Sequence, residues 1–166
     1  MKRQLQIAVL GVLAFLLIAM DWESLGERIG EGRSGNNYRV NITSQLEPNL
    51  TLERINVGRR ETTLRFSYRN RSRDYYDEIA IYPPDHRNAF YLTDIEEQKR
   101  YELVSVEGIA LDPDFDEVRA GREQEFTLIF EPLDRGVGSF HLIEGGTERE
   151  RDYHWNFYGV DLDRRR

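Results

Sequence analysis

Two histidines near the end of the chain are the first candidates for chemistry. His141 and His154 lie in FHLIEGGTERERDYHWNFYGVDL, residues 140–162, on either side of a Gly-Gly pair. If the glycines close a β-hairpin, the imidazoles could face each other and share a metal ion, with Glu144 or Asp152 as a third ligand. None of the four stands at a recognised ligand spacing. We therefore favour a structural hairpin and keep a metal-dependent hydrolase as the alternative.

A group of acids offers a second kind of chemistry. In DPDFDEVRAGRE, Asp112, Asp114 and Asp116 occupy the first, third and fifth positions of a calcium loop, and Glu123 occupies the twelfth, where a bidentate carboxylate belongs. Glu117 stands at the sixth position, where the sharp turn requires glycine, and no helical pattern flanks the segment. We predict a solvated acidic turn. A looser calcium site in a calcium-stabilised adhesive domain is the alternative.

Tyrosines supply a third set of candidates, this time for binding. They are Tyr75, Tyr76, Tyr82 and Tyr91, and Tyr82 is followed by two prolines that stiffen the loop. Tyrosine is enriched at recognition surfaces because its ring is large and its hydroxyl is polar. The sequence has no Gly-rich phosphate loop, no G-x-S-x-G elbow and no H-E-x-x-H motif. These features favour a binding protein that is not an enzyme and needs no cofactor, with calcium as the one ion kept in view.

The elements that must position these residues have the pattern of strands. In ETTLRFSYRN, Leu64, Phe66 and Tyr68 alternate with polar residues, which predicts one face in the core and one in water. The same period of two places further residues on core faces: Ile79 and Ile81, Phe90 and Leu92, Val104 and Val106, Phe126, Leu128 and Phe130, and Phe140 and Leu142. The Arg59-Arg60 pair predicts a turn between two such runs.

The last run changes phase within itself. Trp155 and Phe157 share one face, and the apolar positions then shift to Tyr158, Val160 and Leu162. Gly159 lies at the shift, as expected of a β-bulge. We expect His154 and Asn156 to lie on the opposite, exposed face of this strand.

About nine or ten short runs in some 125 residues, with no long helical pattern, predict an all-β fold. The economical architecture is an antiparallel immunoglobulin-like β-sandwich, and a closed barrel is the alternative. The chain has 166 residues, enough for one domain, and its formal charge of -7 argues against nucleic acid as a partner. Without cysteine, it has no disulfide or thiolate metal site.

The first residues predict where in the cell the protein is located. Lys2 and Arg3 precede an uncharged apolar run over residues 7–20, which suits a membrane anchor or a signal segment. The basic tip predicts that the rest of the chain lies on the outer side of the membrane. Because Lys2 and Lys99 are the only lysines and the apolar run is short, we expect a bacterial inner membrane, with the domain on the periplasmic or extracellular side; secretion after cleavage is the alternative. We expect an anchor or signal segment over 1–20, a flexible linker over 21–37, the β-domain over 38–162 and a basic tail over 163–166.

Three late segments, VRAGREQEFTLIFEPL, SFHLIEG and WNFYGVDL, together with the anchor and linker, suggest a relationship. The combination resembles exported immunoglobulin-like β-sandwich domains of uncharacterised bacterial envelope proteins, in which a glycine, here Gly121, precedes an F-x-L-x-F strand. The resemblance covers Tyr38 to Leu162 and implies no catalytic residues. We expect an interaction or structural module whose partner is an unidentified envelope or extracellular protein.

Overall fold

The structure of the protein is a computed structural model that describes residues 35–73, 75–145 and 155–162. Every regular element in these residues is a β-strand. There are ten: β1 (Gly35–Thr43), β2 (Leu50–Gly58), β3 (Thr62–Arg69), β4 (Asp77–Ile79), β5 (Phe90–Asp94), β6 (Arg100–Glu107), β7 (Asp116–Val118), β8 (Glu123–Phe130), β9 (Ser139–Glu144) and β10 (Phe157–Asp161). The predicted all-β class is confirmed.

The strands form one large and one small antiparallel sheet. The large sheet has eight strands in the order β1-β2-β3-β8-β6-β5-β9-β10, and β4 pairs with β7 in the small one. β2 and β3 are neighbours joined by the predicted turn at Arg59 and Arg60. The antiparallel pairing expected from the alternating sequence is therefore observed throughout the named strands.

β6 joins the two halves of the large sheet. Its first residues, 100–102, pair with β5, whereas Leu103 to Glu107 pair with β8. The register shifts between Leu103 and Ser105, so an irregularity lies where the strand changes partner. One continuous strand thus belongs to both halves.

The sheet folds over so that its two halves pack face to face. Phe157 of β10 lies 5.7 Å from Phe66 of β3, measured between ring centroids, although β10 and β3 are not neighbours in the sheet. Trp155, just before β10, lies 6.0 Å from Phe126 of β8. These contacts cross the interior between two layers, an arrangement consistent with a β-sandwich.

The core consists mainly of the residues that the alternation predicted. Leu64, Phe66 and Tyr68 on β3 are buried, and Leu64 and Phe66 face partners on β8 that are equally buried. Phe66 stacks on Phe126 with 5.1 Å between ring centroids, a cross-strand pair of the kind that contributes about 1 kcal/mol beyond its buried area. Burial of such pairs between the layers stabilises the fold.

In β1, β3 and β6 the structure differs from the sequence-based expectation. Val104 is 57% exposed rather than in the core, because the register shift in β6 moves it to the outer face. Ser67 is buried although its position was expected to face water. β1 begins at Gly35, so residues 35–37 of the predicted linker are strand, paired with residues 56–58 of β2.

Several predicted segments lie outside the described residues. These are the anchor or signal segment at 1–20, residues 21–34 of the linker, and the basic tail at 163–166. Within residues 35–73, 75–145 and 155–162, the structure contains no helix of the length and apolar character needed to cross a bilayer.

Candidate functional site

The histidine segment forms the hairpin that its sequence predicted. β9 and β10 pair antiparallel, with Phe157 opposite Leu142 and Val160 opposite Phe140. The register shifts between Phe157 and Val160, and Gly159 adopts a positive φ of 62° there. The predicted bulge at Gly159 is confirmed, and it explains why Phe157 and Val160 can both be buried.

His141 supports this bulge. Its Nδ1 accepts a hydrogen bond from the backbone N–H of Gly159 at 2.8 Å, and its ring meets Tyr158 edge-on at 5.6 Å between centroids. A nitrogen that accepts in this way leaves the ring proton on Nε2 when the imidazole is neutral. His154 and Asp152, the other members of the predicted metal site, lie outside the described residues.

Glu144 ties the two ends of the hairpin loop together. Its Oε2 accepts a hydrogen bond from Trp155 N–H at 2.8 Å, and its own backbone N–H donates to Oδ1 of Asn156 at 2.8 Å. Burial raises the pKa of the Glu144 carboxyl to about 7, although the bond from Trp155 opposes the shift. Asn156 is buried at 2% exposure, so the expectation of an exposed residue is wrong: its amide is needed to satisfy the neighbouring backbone.

The acidic segment places two of its four candidate calcium ligands in strands, one in each sheet. Asp116 lies in β7, and its Oδ2 accepts hydrogen bonds from Ala110 N–H at 2.8 Å and from Gln124 Nε2 at 2.6 Å. Glu123 begins β8, where it is exposed opposite Arg69. Asp112 and Asp114 are exposed in the turn before β7.

No metal centre is assembled in the part of the chain that the structure describes. No three of its His, Asp and Glu side chains lie where they could hold one ion together. The structure therefore does not bring Asp112, Asp114, Asp116 and Glu123 together as a ligand group, because the strands place the last two in separate pairings.

The predicted binding tyrosines fall into three separate places. Tyr82 stacks on His86 with 4.4 Å between ring centroids. Tyr91 lies on β5 beneath the guanidinium of Arg100, whose central carbon is 3.8 Å from the ring centroid. Tyr75 and Tyr76 together line a depression in the surface. Of the four predicted tyrosines, only Tyr75 and Tyr76 line the same depression.

We call this feature the tyrosine depression; it is lined by Tyr68, Tyr75, Tyr76, Asp77 and Glu78 and has a volume of about 520 Å³. Tyr75 and Tyr76 are 75% and 55% exposed. The depression therefore offers two accessible ring faces beside two carboxylates. Such groups can recognise a ligand without covalent chemistry.

Asn70 fixes the segment that carries the two tyrosines. It is fully buried at the end of β3, and its Nδ2 donates to the backbone oxygens of Tyr75 at 2.9 Å and Val118 at 2.8 Å. Its Oδ1 accepts from the N–H of Ser72, whose hydroxyl also donates to Tyr75 O at 2.9 Å. The tyrosines are exposed, but their backbone is held at defined points.

Tyr68 joins the depression to the core. Its hydroxyl donates to Oδ2 of Asp77 at 3.1 Å and accepts from Nδ2 of Asn49 at 3.4 Å. Burial raises the pKa of Tyr68 to about 12; the bond from Asn49 lowers it, and the negative charges of Glu47 and Asp77 raise it further. The Tyr68 hydroxyl thus orients one carboxylate of the site and lies in a negative potential.

A second concavity, of about 280 Å³, lies on the large sheet and was not predicted as a unit. It is lined by Tyr91, Thr93, Glu97, Arg100, Ile143 and Tyr158. Of these the sequence singled out only Tyr91 for binding. Tyr158 was expected among the apolar core positions of the last strand, and that expectation is wrong, because Tyr158 is 52% exposed. The residues come together because β5 lies between β6 and β9, an order that the alternation of each strand does not reveal.

Comparison with known proteins adds no family. The chain matches no protein-family model, no curated protein and no solved structure.

Proposed function

We propose that this protein is a non-enzymatic interaction module of a bacterial cell envelope, and that the tyrosine depression is its binding surface. One observation carries the proposal. Tyr75 and Tyr76 are largely exposed, yet their segment is fastened to the domain by the buried side chain of Asn70. Aromatic side chains on a fixed backbone lose little conformational freedom on binding, which favours recognition.

The finer architecture belongs to the same proposal. We propose an immunoglobulin-like β-sandwich, supported by the antiparallel strands and by the face-to-face packing of β10 on β3 and β8. Residues 7–20 would attach the protein to the inner membrane, with the domain on the periplasmic or extracellular side. The uncharged apolar run and the two basic residues before it support this orientation.

Site-specific photo-cross-linking in intact cells tests the binding surface. A photoreactive phenylalanine analogue would replace Tyr76 in the full-length chain, and the same analogue at Tyr158 would serve as the matched control. Tyr158 is a suitable control because it is 52% exposed, against 55% for Tyr76, and lies on β10 rather than in the depression. We expect one discrete protein adduct from position 76 and none of that mass from position 158.

The outcomes are distinguishable. The same adduct from both positions, or none from position 76, would overturn the proposal that the depression is the binding surface. Protease treatment of spheroplasts would test the proposed location of the domain, because an externally placed domain is degraded and a cytoplasmic one is protected.

A further inference from the structure

The carboxylates of the tyrosine depression have no cationic partner within the described part of the chain. Glu78 is exposed and Asp77 is half-buried, and neither forms an ion pair there. Arg71 and Arg73 precede the tyrosines in sequence and are exposed, but they make no ion pair with these acids. Two negative charges beside two ring faces are therefore left for an external group.

Elsewhere in the protein, an arginine contacts a tyrosine ring and a carboxylate at the same time. The guanidinium of Arg100 lies over the ring of Tyr91, and its Nε is 2.8 Å from Oε1 of Glu102. Here one arginine uses a tyrosine face and a carboxylate together. The depression provides tyrosine faces and carboxylates, and lacks the arginine.

The net negative charge of the domain favours a positively charged ligand at longer range. Beyond residue 20 the chain has 21 basic and 30 acidic residues, a formal charge of about -9. Tyr68 lines the depression, and the negative charges of Glu47 and Asp77 both act on its hydroxyl. A basic ligand would be attracted to the domain as a whole and to this surface in particular.

We propose that the tyrosine depression binds an arginine side chain presented by a basic segment of a partner protein. The proposal rests on the function proposed above and specifies the chemistry of its ligand. Arginine is preferred to lysine because its planar guanidinium can stack on a tyrosine ring while its N–H groups donate to a carboxylate. Tyr75 and Tyr76 supply the rings, and Asp77 and Glu78 supply the charge.

Fluorescence anisotropy with the full-length chain in detergent tests this chemistry. The probe is a labelled Gly/Ser peptide with two arginines, and the comparison peptide has citrulline at both positions. Citrulline keeps the planar shape and removes the charge. We expect the arginine peptide to bind at least about tenfold more tightly than the citrulline peptide.

Two double variants locate the binding. Asp77→Asn with Glu78→Gln should weaken the arginine peptide about tenfold, whereas Asp112→Asn with Asp114→Asn should change its affinity less than about twofold. Both remove two negative charges, but the second pair lies in the exposed turn before β7. Glu78→Gln alone, at an exposed position, gives an intermediate loss if the Asp77 change disturbs folding.

The results separate this inference from the proposed function. Equal weakening by both double variants would show general charge attraction and overturn the site. Equal binding of the arginine and citrulline peptides would overturn the charge requirement. If the position 76 cross-link persists while the arginine peptide does not bind, the interaction surface stands and its proposed ligand is wrong. Loss of both the position 76 cross-link and the binding of the arginine peptide would overturn the binding surface and its proposed ligand.

Discussion

The side chain of Asn70 donates a hydrogen bond to the backbone oxygen of Val118 at 2.8 Å, across 48 positions of sequence. The bond connects the end of β3 to the small sheet formed by β4 and β7. The same amide group donates to Tyr75 O. One buried side chain therefore joins the core, the small sheet and the tyrosine depression, and it is the first residue to change in a test of the structure.

We expect Asn70→Ala to destabilise the domain by about 3 kcal/mol, because the buried oxygen of Val118 loses its donor, Tyr75 O loses one of its two donors and the N–H of Ser72 loses its acceptor. Urea denaturation of the full-length chain followed by tryptophan fluorescence would measure the loss. The matched control is Ser72→Ala, which removes one exposed bond to Tyr75 O and should cost less than about 0.5 kcal/mol. Similar losses for the two variants would contradict the central role of Asn70.

The Glu144 carboxyl predicts a pH dependence of stability. Its pKa is about 7 in the fold, against the ordinary value of 4.5 that applies to the unfolded chain, so the native state binds more protons between these values. This contribution to stability is fully present below pH 4.5 and is lost as the pH rises to about 7. The difference corresponds to at most about 3 kcal/mol.

Glu144→Gln removes this titration while keeping an oxygen that can accept from Trp155 N–H. We expect the variant to be more stable than the parent above about pH 7 and to have a flatter stability profile from about pH 5 to 7. Urea midpoints measured across that range would show the difference. An unchanged slope in the variant would assign the pH dependence to other groups.

Two glycines with positive φ should respond differently to the same substitution. At Gly159, with φ of 62°, an added Cβ meets nothing within 4 Å, so Gly159→Asn should cost about 1 kcal/mol or less. At Gly108, with φ of 82°, a Cβ would lie 2.9 Å from the backbone oxygen of Glu125. Gly108→Asn should therefore cost more than about 2 kcal/mol. Thermal melting compares them, and an equal loss would contradict the predicted steric difference.

Calcium should not stabilise the domain. Asp116 already accepts two hydrogen bonds, and the described residues contain no group of three acids placed for a metal ion. We expect the melting temperature of the full-length chain to be the same with calcium and with excess chelator. A calcium-dependent rise of several degrees that Asp112→Asn with Asp114→Asn abolishes would contradict this prediction and support a calcium site in the acidic turn.

Local sequence patterns predicted the strands well and single positions less well. Leu64, Phe66 and Phe126 are buried as their alternation indicated, since successive side chains of a strand must point to opposite faces. Val104 has the same pattern and is exposed, because the register of β6 against β8 shifts between Leu103 and Ser105. The sequence of β6 alone does not reveal this shift. Asn156 is polar and buried because its amide bonds to the backbone of Glu144.

The sequence by itself determined the all-β class, the β9–β10 hairpin and the bulge at Gly159, since these follow from the period of two and from glycine's conformational freedom. Only the tertiary structure decided which side chains meet. It separated Tyr82 and Tyr91 from the Tyr75-Tyr76 pair, and it brought Tyr68 of β3 to the depression that this pair lines. The physical reason is that a strand's own alternation fixes the face of each residue, whereas contacts between strands depend on sheet order, register and layer packing.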